Sequence, residues 1–150
     1  AYRGLKFFLY SFYPVTDAVE LYLRFSTDGG STFDAGVSDY NYASWRFNDA
    51  AGSAASGSGA AAFIGVFGGA FLGNAAHEGM HSAEITLLDQ TNTGQWSKVH
   101  FQAYGSDTST SGIAAVGGGA REAAQDTDAV RFLFSSGNVS SGKYAVYGMI

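Results

Sequence analysis

Apolar and polar residues alternate along much of the chain with a period of two. The alternation is clearest over residues 19–26, where Val, Leu and Phe occupy the odd positions and Glu, Tyr, Arg and Ser occupy the even ones. Successive side chains of a strand point to opposite faces, so this pattern predicts a half-buried β-strand. The same alternation over residues 99–103 and 130–135 predicts two more strands with one solvent-facing side.

Six further segments have the composition of strands. They cover residues 3–12, 37–47, 61–67, 82–89, 111–116 and 143–149. Clusters of Gly, Ser, Asn and Asp separate them, as expected for turns. About nine short strands joined by turns predict an all-β fold, specifically an antiparallel, jelly-roll-like β-sandwich with little helix. A length of 150 residues corresponds to one domain over residues 1–150.

Two segments of small residues do not show strand alternation. Residues 50–62 are mainly Gly, Ala and Ser, a composition that predicts a mobile loop. The three glycines at 117–119 predict a turn. Residues 119–128 are the one stretch compatible with a short helix, although the preceding glycines favour a loop there as well.

Composition and charge narrow the classes of function. Charged residues make up 14% of the chain and the net charge is -5, whereas nucleic-acid binders are usually basic. The absence of cysteine excludes thiol catalysis and thiolate metal sites. The most apolar run, residues 60–72, is shorter than the ~20 residues of a membrane helix. We therefore expect neither a nucleic-acid partner nor membrane insertion. Because the chain begins with Ala1, we also expect either processing or a longer parent chain.

One sequence motif is typical of zinc enzymes. His77, Glu78 and His81 match H-E-x-x-H, in which two histidines one helical turn apart bind zinc and the glutamate activates a water. Gly79 lies inside the motif and a strand pattern follows it directly, so the helix that this chemistry needs is not expected. We predict no metal site and no cofactor, with a metal-dependent hydrolase as a minor alternative.

The acidic residues could serve calcium binding or glycoside hydrolysis, but their spacing favours neither. Asp28, Asp34 and Asp39 could offer oxygen ligands to calcium, but their spacing fits no EF-hand loop. A glycoside hydrolase needs two carboxylates about the scissile bond. The candidates are Glu20, Glu78, Glu84, Asp34 and Asp39. Because no pair stands out, we predict no catalytic residues and no enzyme, with a glycoside hydrolase as the other minor alternative.

Residues 26–33 contain a recognisable turn sequence, S-T-D-G-G-S-T-F. It resembles the Asp-box of sialidases and other propeller proteins, which is a hairpin turn without a catalytic role. The Asp28 carboxylate can accept backbone N–H groups across the turn, while Gly29 and Gly30 supply positive φ angles. A single copy cannot close a propeller, so we predict a structural turn only.

The aromatic segment at residues 39–47 is the best candidate for a recognition surface. Tyr40, Tyr42 and Arg46 share one face of a strand, and Trp45 and Phe47 share the other. Aromatic planes beside polar groups suit both sugars and protein partners. If Trp45 packs inward, Tyr40, Tyr42 and Arg46 form an outward binding surface. The opposite orientation, with Trp45 outward, agrees with the pattern nearly as well. We take Tyr40, Tyr42 and Arg46 as candidate ligand-binding residues.

Three parts of the chain resemble β-rich structural proteins of tailed bacteriophages. They are residues 21–34 with 38–40, the segment around 78–85, and residues 130–139 with 141–148, which resemble the strand, S-G-N turn and final Y-G strand of fibre and virion-surface domains. His77 and His81 are not required by that pattern.

The resemblance implies a jelly-roll-like or lectin-like β-sandwich mounted on a phage tail, baseplate or head fibre. It implies a non-enzymatic virion protein at the particle surface, in contact with other virion proteins and with identical copies, most plausibly as a trimer. The alternative is a module that binds carbohydrate, such as host surface glycan, or another host receptor.

Overall fold

The computed structural model describes residues 2–88 and 90–150. These residues form ten β-strands and no helix. The strands are β1 (Gly4–Pro14), β2 (Leu21–Ser26), β3 (Tyr40–Asn48), β4 (Gly52–Ala61), β5 (Ile64–Gly65), β6 (His81–Leu88), β7 (Lys98–Ser106), β8 (Gly112–Arg121), β9 (Ala129–Phe134) and β10 (Val139–Met149). Asp89, the last residue of the predicted strand 82–89, lies outside the described residues. No helix among the described residues is long and apolar enough to cross a bilayer.

The strands form two antiparallel sheets of unequal size. Seven strands pair in the order β10-β1-β6-β7-β8-β3-β4, and three pair in the order β5-β2-β9. Every strand pair is antiparallel. The predicted all-β antiparallel sandwich is confirmed, whereas its jelly-roll connectivity stays a prediction.

The core lies between the two sheets and is formed by the apolar residues of the alternating pattern. Leu21, Leu23 and Phe25 of β2 are buried, as the period-two pattern predicted. They pack with residues of the large sheet such as Ile85 and Phe101. The segment after β5 also contributes buried side chains, namely Val66, Phe67, Ala70 and Leu72. The apolar run at 60–72 is therefore mainly a buried connection next to a two-residue strand.

The segment of small residues at 50–62 is not a loop, contrary to our prediction. Most of it is β4, which pairs with β3 from Asn48↔Gly52 to Tyr40↔Ala61. β4 is an edge strand with mostly exposed small side chains, so its amphipathic pattern is weak. Its backbone hydrogen bonds to β3 define it, and side-chain patterns do not report such bonds. This strand accounts for the difference between nine predicted strands and ten.

The three glycines at 117–119 lie within β8 and do not form the predicted turn. Gly117 pairs with Phe101 of β7 and with Ser44 of β3. A Cβ at Gly117 would lie 2.6 Å from Phe101 Cζ and 2.7 Å from the Ala43 carbonyl oxygen. The missing side chain thus makes room for the Phe101 ring, so the glycine serves packing and not a turn. The helix-compatible stretch at 119–128 begins with the last residues of this strand.

Candidate functional site

The predicted recognition residues on β3 do not form an exposed platform. Tyr40 is completely buried. Its hydroxyl accepts a hydrogen bond from the Phe25 amide at 2.8 Å and donates one to the Asp34 carbonyl at 3.1 Å. Burial raises the pKa of Tyr40 to about 12. Tyr40 joins the two sheets and offers no surface to a ligand, which corrects its predicted placement.

Tyr42 and Arg46 follow Tyr40 onto the inward face of β3. Tyr42 is half-buried, with its ring 6.2 Å from the ring of Phe63. Arg46 is also half-buried and donates a hydrogen bond to the Gly68 carbonyl at 3.4 Å. The outward face of this strand carries Trp45 and Phe47, which are exposed. Of the two orientations that the sequence left open, the structure has the one with Trp45 outward.

The outer face of the large sheet carries a set of exposed aromatic side chains that the sequence analysis did not group together. Phe47 of β3 and Tyr104 of β7 lie on either side of Ala114 of β8. Two residues away on the same strands, Trp45 of β3 pairs with Val116 of β8. These residues come from three strands, of which β7 and β8 are consecutive and β3 is distant from both in sequence. Only the strand order places them on one surface, so no local pattern could have shown it.

A groove lies on the same outer face, above β6. Phe8 and Tyr10 of β1 line one wall, and Gln102 and Tyr104 of β7 line the other. Ser82 and Glu84 of β6 lie between the two walls, and the cavity volume is about 310 Å³. The rings of Phe8 and Tyr10 are parallel, with centroids 6.0 Å apart and planes at 4°. The groove therefore combines aromatic walls with a polar floor.

Glu84 is the charged group of this groove. The Lys6 ammonium forms an ion pair with its carboxylate and lies 5.3 Å from the Phe8 ring centroid. The hydrogen bond and charge of Lys6, with contributions from Gln102 and His100, lower the pKa of Glu84 below its usual value. The carboxylate is consequently ionised at neutral pH and its charge is balanced by Lys6.

A second groove opens at the side of the sandwich, because three strands do not cover seven. Phe7 and Leu9 of β1 form part of its floor, and Phe132 of β9 forms one wall. Tyr144 and Val146 of β10 line the other side. The volume is about 460 Å³, and every lining side chain apart from Gly142 is apolar or aromatic. We call these residues the side groove.

The Asp28 turn is held by several short-range hydrogen bonds. The Asp28 carboxylate accepts bonds from the Thr32 amide at 2.9 Å, the Thr32 hydroxyl at 2.6 Å and the Ser26 hydroxyl at 2.7 Å. Gly29 and Gly30 have φ angles of 73° and 86°. The chain does not pair as a two-stranded hairpin after this turn, since it continues into β3 of the other sheet.

These bonds predict a pH-dependent contribution of Asp28 to stability. The Thr32 hydroxyl and amide, followed by the Ser26 hydroxyl, lower the pKa of Asp28 from 3.8 to about 2. A lowered folded-state pKa adds stability above the unfolded pKa and loses it as the pH falls from about 4 to about 2. We expect Asp28→Asn to have a lower Tm than wild type at pH 7 and a smaller deficit at pH 2. Scanning calorimetry at both values measures this, and an equal deficit at both would contradict it.

The histidine motif does not bring His77, Glu78 and His81 together as a metal site. Residues 75–78 form a turn, with His77 exposed at a φ of 72°. His81 is buried, its Nε2 lies 3.0 Å from the Gly73 carbonyl oxygen, and its Nδ1 accepts a bond from the Ser106 amide at 3.4 Å. Burial lowers the pKa of His81, so the ring is neutral and both nitrogens are engaged. His81 is thus a hydrogen-bonded core residue.

The acidic residues considered as calcium ligands or hydrolytic carboxylates contact different neighbours and do not form one cluster. Asp34 forms an ion pair with Arg121, and Asp39 accepts a bond from the Gly36 amide at 2.5 Å. Glu78 is buried and accepts a bond from the Ala75 amide at 2.9 Å. Within residues 2–88 and 90–150, no group of three His, Cys, Asp or Glu side chains is arranged to hold a metal ion. These contacts place the carboxylates of Asp34, Asp39 and Glu78 in local structural roles.

Comparison with protein-family models, with curated proteins and with solved structures finds no match to this chain. The geometry of the two grooves and the resemblance of individual segments are therefore the observations that bear on function.

Proposed function

We propose that this chain is a non-enzymatic structural protein of a phage virion, which assembles with identical copies at the particle surface. The observation that carries the proposal is the side groove. β10 is the edge strand of the large sheet, and the small sheet leaves its inner face uncovered. Tyr144 on that face is 74% exposed. Long, apolar edge strands are usually covered by another element or by a partner chain.

The occupant we assign to the side groove is a second copy of this chain. A stable interface buries about 800 Å² per partner. That is about a tenth of the 7382 Å² accessible surface of the chain. Within residues 2–88 and 90–150, β9 pairs only with β2, so its other edge is free. Unpaired strand edges can pair with another chain, and the cores of interfaces between identical chains are apolar, so both features suit assembly.

Two further observations support the structural role. Two of the carboxylates that could have served hydrolysis, Asp34 and Glu78, are held in local contacts. The segments at 21–34 and 130–148 resemble virion structural proteins. This resemblance supports the phage context. It also implies several identical copies on the particle, and the proposed trimer is based on that.

Assembly through the side groove predicts that Val146→Lys gives a chain of lower native mass. A charge introduced among Phe7, Phe132 and Tyr144 must be desolvated on association, which opposes it. Sedimentation equilibrium should show wild type at about three times the 15.7 kDa chain mass and the variant near the monomer mass.

Val116→Lys is the matched control for that experiment. Val146 is 44% exposed and Val116 is 48% exposed, but Val116 lies on the outer face of the large sheet, away from the side groove. We expect Val116→Lys to keep the mass of the wild-type oligomer. A monomeric wild type, or a Val146→Lys chain that still assembles, would contradict the proposal; circular dichroism establishes that both variants fold.

The virion context has a separate test. An antibody raised against the chain should label intact particles of the phage that carries its gene. Labelling confined to unassembled protein in the lysate would be evidence against a virion role, whatever the oligomeric state.

A further inference from the structure

The groove above β6 differs in chemistry from the side groove. Its walls are aromatic, but its floor is Ser82 and Glu84, which offer a hydroxyl and a carboxylate. A protein partner that buries an apolar face would leave those groups desolvated without partners, at a cost in free energy. A ligand suited to this groove must therefore have both an apolar face and hydroxyl groups.

We propose that this groove binds a neutral saccharide unit, with a sugar ring held between Tyr10 and Tyr104. The proposal goes beyond assembly and involves a different face of the molecule. A pyranose ring presents C–H groups on its faces and hydroxyl groups around its edge. The faces stack on aromatic rings, and the edge suits polar groups placed between them.

The dimensions of the groove agree with a ligand of this size. β1 and β7 are both neighbours of β6, so the two walls lie about 10 Å apart at the usual strand spacing. Tyr10 is 47% exposed and Tyr104 is 61% exposed, which leaves their ring faces accessible. The volume of about 310 Å³ is close to the lower limit for small-molecule sites. A single saccharide unit, or the end of a longer glycan, fits these limits.

The charge of the groove favours a neutral ligand over an ionic one. Lys6 already neutralises Glu84 at the floor, so neither an anion nor a cation gains an uncompensated partner there. Lys143 of β10 pairs with Tyr10 on the same face but is not among the residues that line the groove. An ionised carboxylate has about four acceptor positions, of which Lys6 and Gln102 engage only part. The remaining positions can accept hydrogen bonds from sugar hydroxyls. Ser82 and the Gln102 amide add both donors and acceptors.

The experiment is a glycan array followed by titration of the best neutral ligand against the full chain. We expect a neutral saccharide to bind, and Tyr104→Ala to weaken binding at least tenfold because one aromatic wall is lost. Glu84→Gln should also weaken it, since it removes the charged acceptor while keeping the shape. Tyr104 is exposed, so its truncation is expected to leave the fold intact, which circular dichroism establishes.

Tyr144→Ala is the matched control, because Tyr144 is an exposed tyrosine that lines the side groove instead. Dissociation constants are measured per chain by calorimetry, so a change in oligomeric state does not imitate a change in affinity. We expect Tyr144→Ala to bind like wild type. Absence of any neutral saccharide ligand on the array, binding of charged glycans only, or an unchanged constant in Tyr104→Ala would overturn the proposal. None of these outcomes bears on assembly, which the native mass tests independently.

Discussion

Replacing Asp34 by alanine is expected to lower the free energy of unfolding by about 3 kcal/mol. This is the lower end of the usual cost of breaking a buried ion pair from one side, because the Asp34 side chain is 30% exposed whereas that of Arg121 is 5% exposed. Arg121 is only 4% exposed, and Asp34 is its anionic partner. Its Nη2 donates to Gln125 at 3.0 Å, whereas its Nη1 makes no hydrogen bond to any described residue. Without Asp34 the guanidinium would stay buried with a single neutral acceptor. Urea denaturation of the purified variant measures the loss.

Three further variants, Asp126→Ala, Arg121→Leu and the double variant, separate the loss of the ion pair from a general sensitivity of this region to substitution. Asp126→Ala removes an exposed carboxylate five residues after Arg121, and we expect a change within about 0.5 kcal/mol. The double variant Asp34→Ala with Arg121→Leu should be more stable than Asp34→Ala alone, because it also removes the unpaired cation. If the double variant loses the sum of the two single effects, the ion pair is not the cause.

Replacing Gly117 by alanine is expected to cost about 1–3 kcal/mol, as overpacking of a filled core does. The added Cβ would lie 2.6 Å from the Phe101 ring and 2.7 Å from both the Ala43 carbonyl oxygen and Ser44 Cβ. One of these contacts is with backbone, so rotating a side chain cannot relieve all of them. Thermal and urea unfolding measure the loss.

Gly59 provides the control for this substitution. It lies in the edge strand β4, and a Cβ added there meets no atom within 4 Å. Gly59→Ala should leave stability unchanged or raise it slightly, because alanine restricts the unfolded chain more than glycine does. Equal losses at Gly59 and Gly117 would mean that the effect comes from strand glycines in general and not from packing against Phe101.

The strands with large alternating side chains could be predicted from the sequence. β2, β7 and β9 were all predicted, because each has one face in the core and the burial of alternate residues requires that pattern. β4 and the glycines of β8 could not be predicted as strand residues. Gly, Ala and Ser differ too little in hydrophobicity to show which face of a strand is buried. β10 begins at Val139, before the predicted start at 143, because its first residues pair with β1 despite a sequence typical of turns.

The two grooves could not be predicted, for a different reason. Tyr10, Glu84 and Tyr104 lie on three strands, and they meet only because β6 lies between β1 and β7. Strand order is a property of the whole sheet and leaves no local trace in the sequence. On β3 the difficulty was local, because both faces carry aromatic residues and the alternation does not distinguish them. The buried hydroxyl of Tyr40, bonded to Phe25 and Asp34, shows which face is inward.

The most direct test of the central claim, assembly of identical copies through the side groove, is amide hydrogen exchange at high and low protein concentration. Assembly predicts slower exchange at high concentration in β9 and β10, the two strands that border the groove. β3 and β4, at the opposite end of the large sheet from β10, serve as the internal reference and should exchange equally at both concentrations. Concentration-dependent protection on β3 and β4 instead, or none in β9 and β10, would contradict the account.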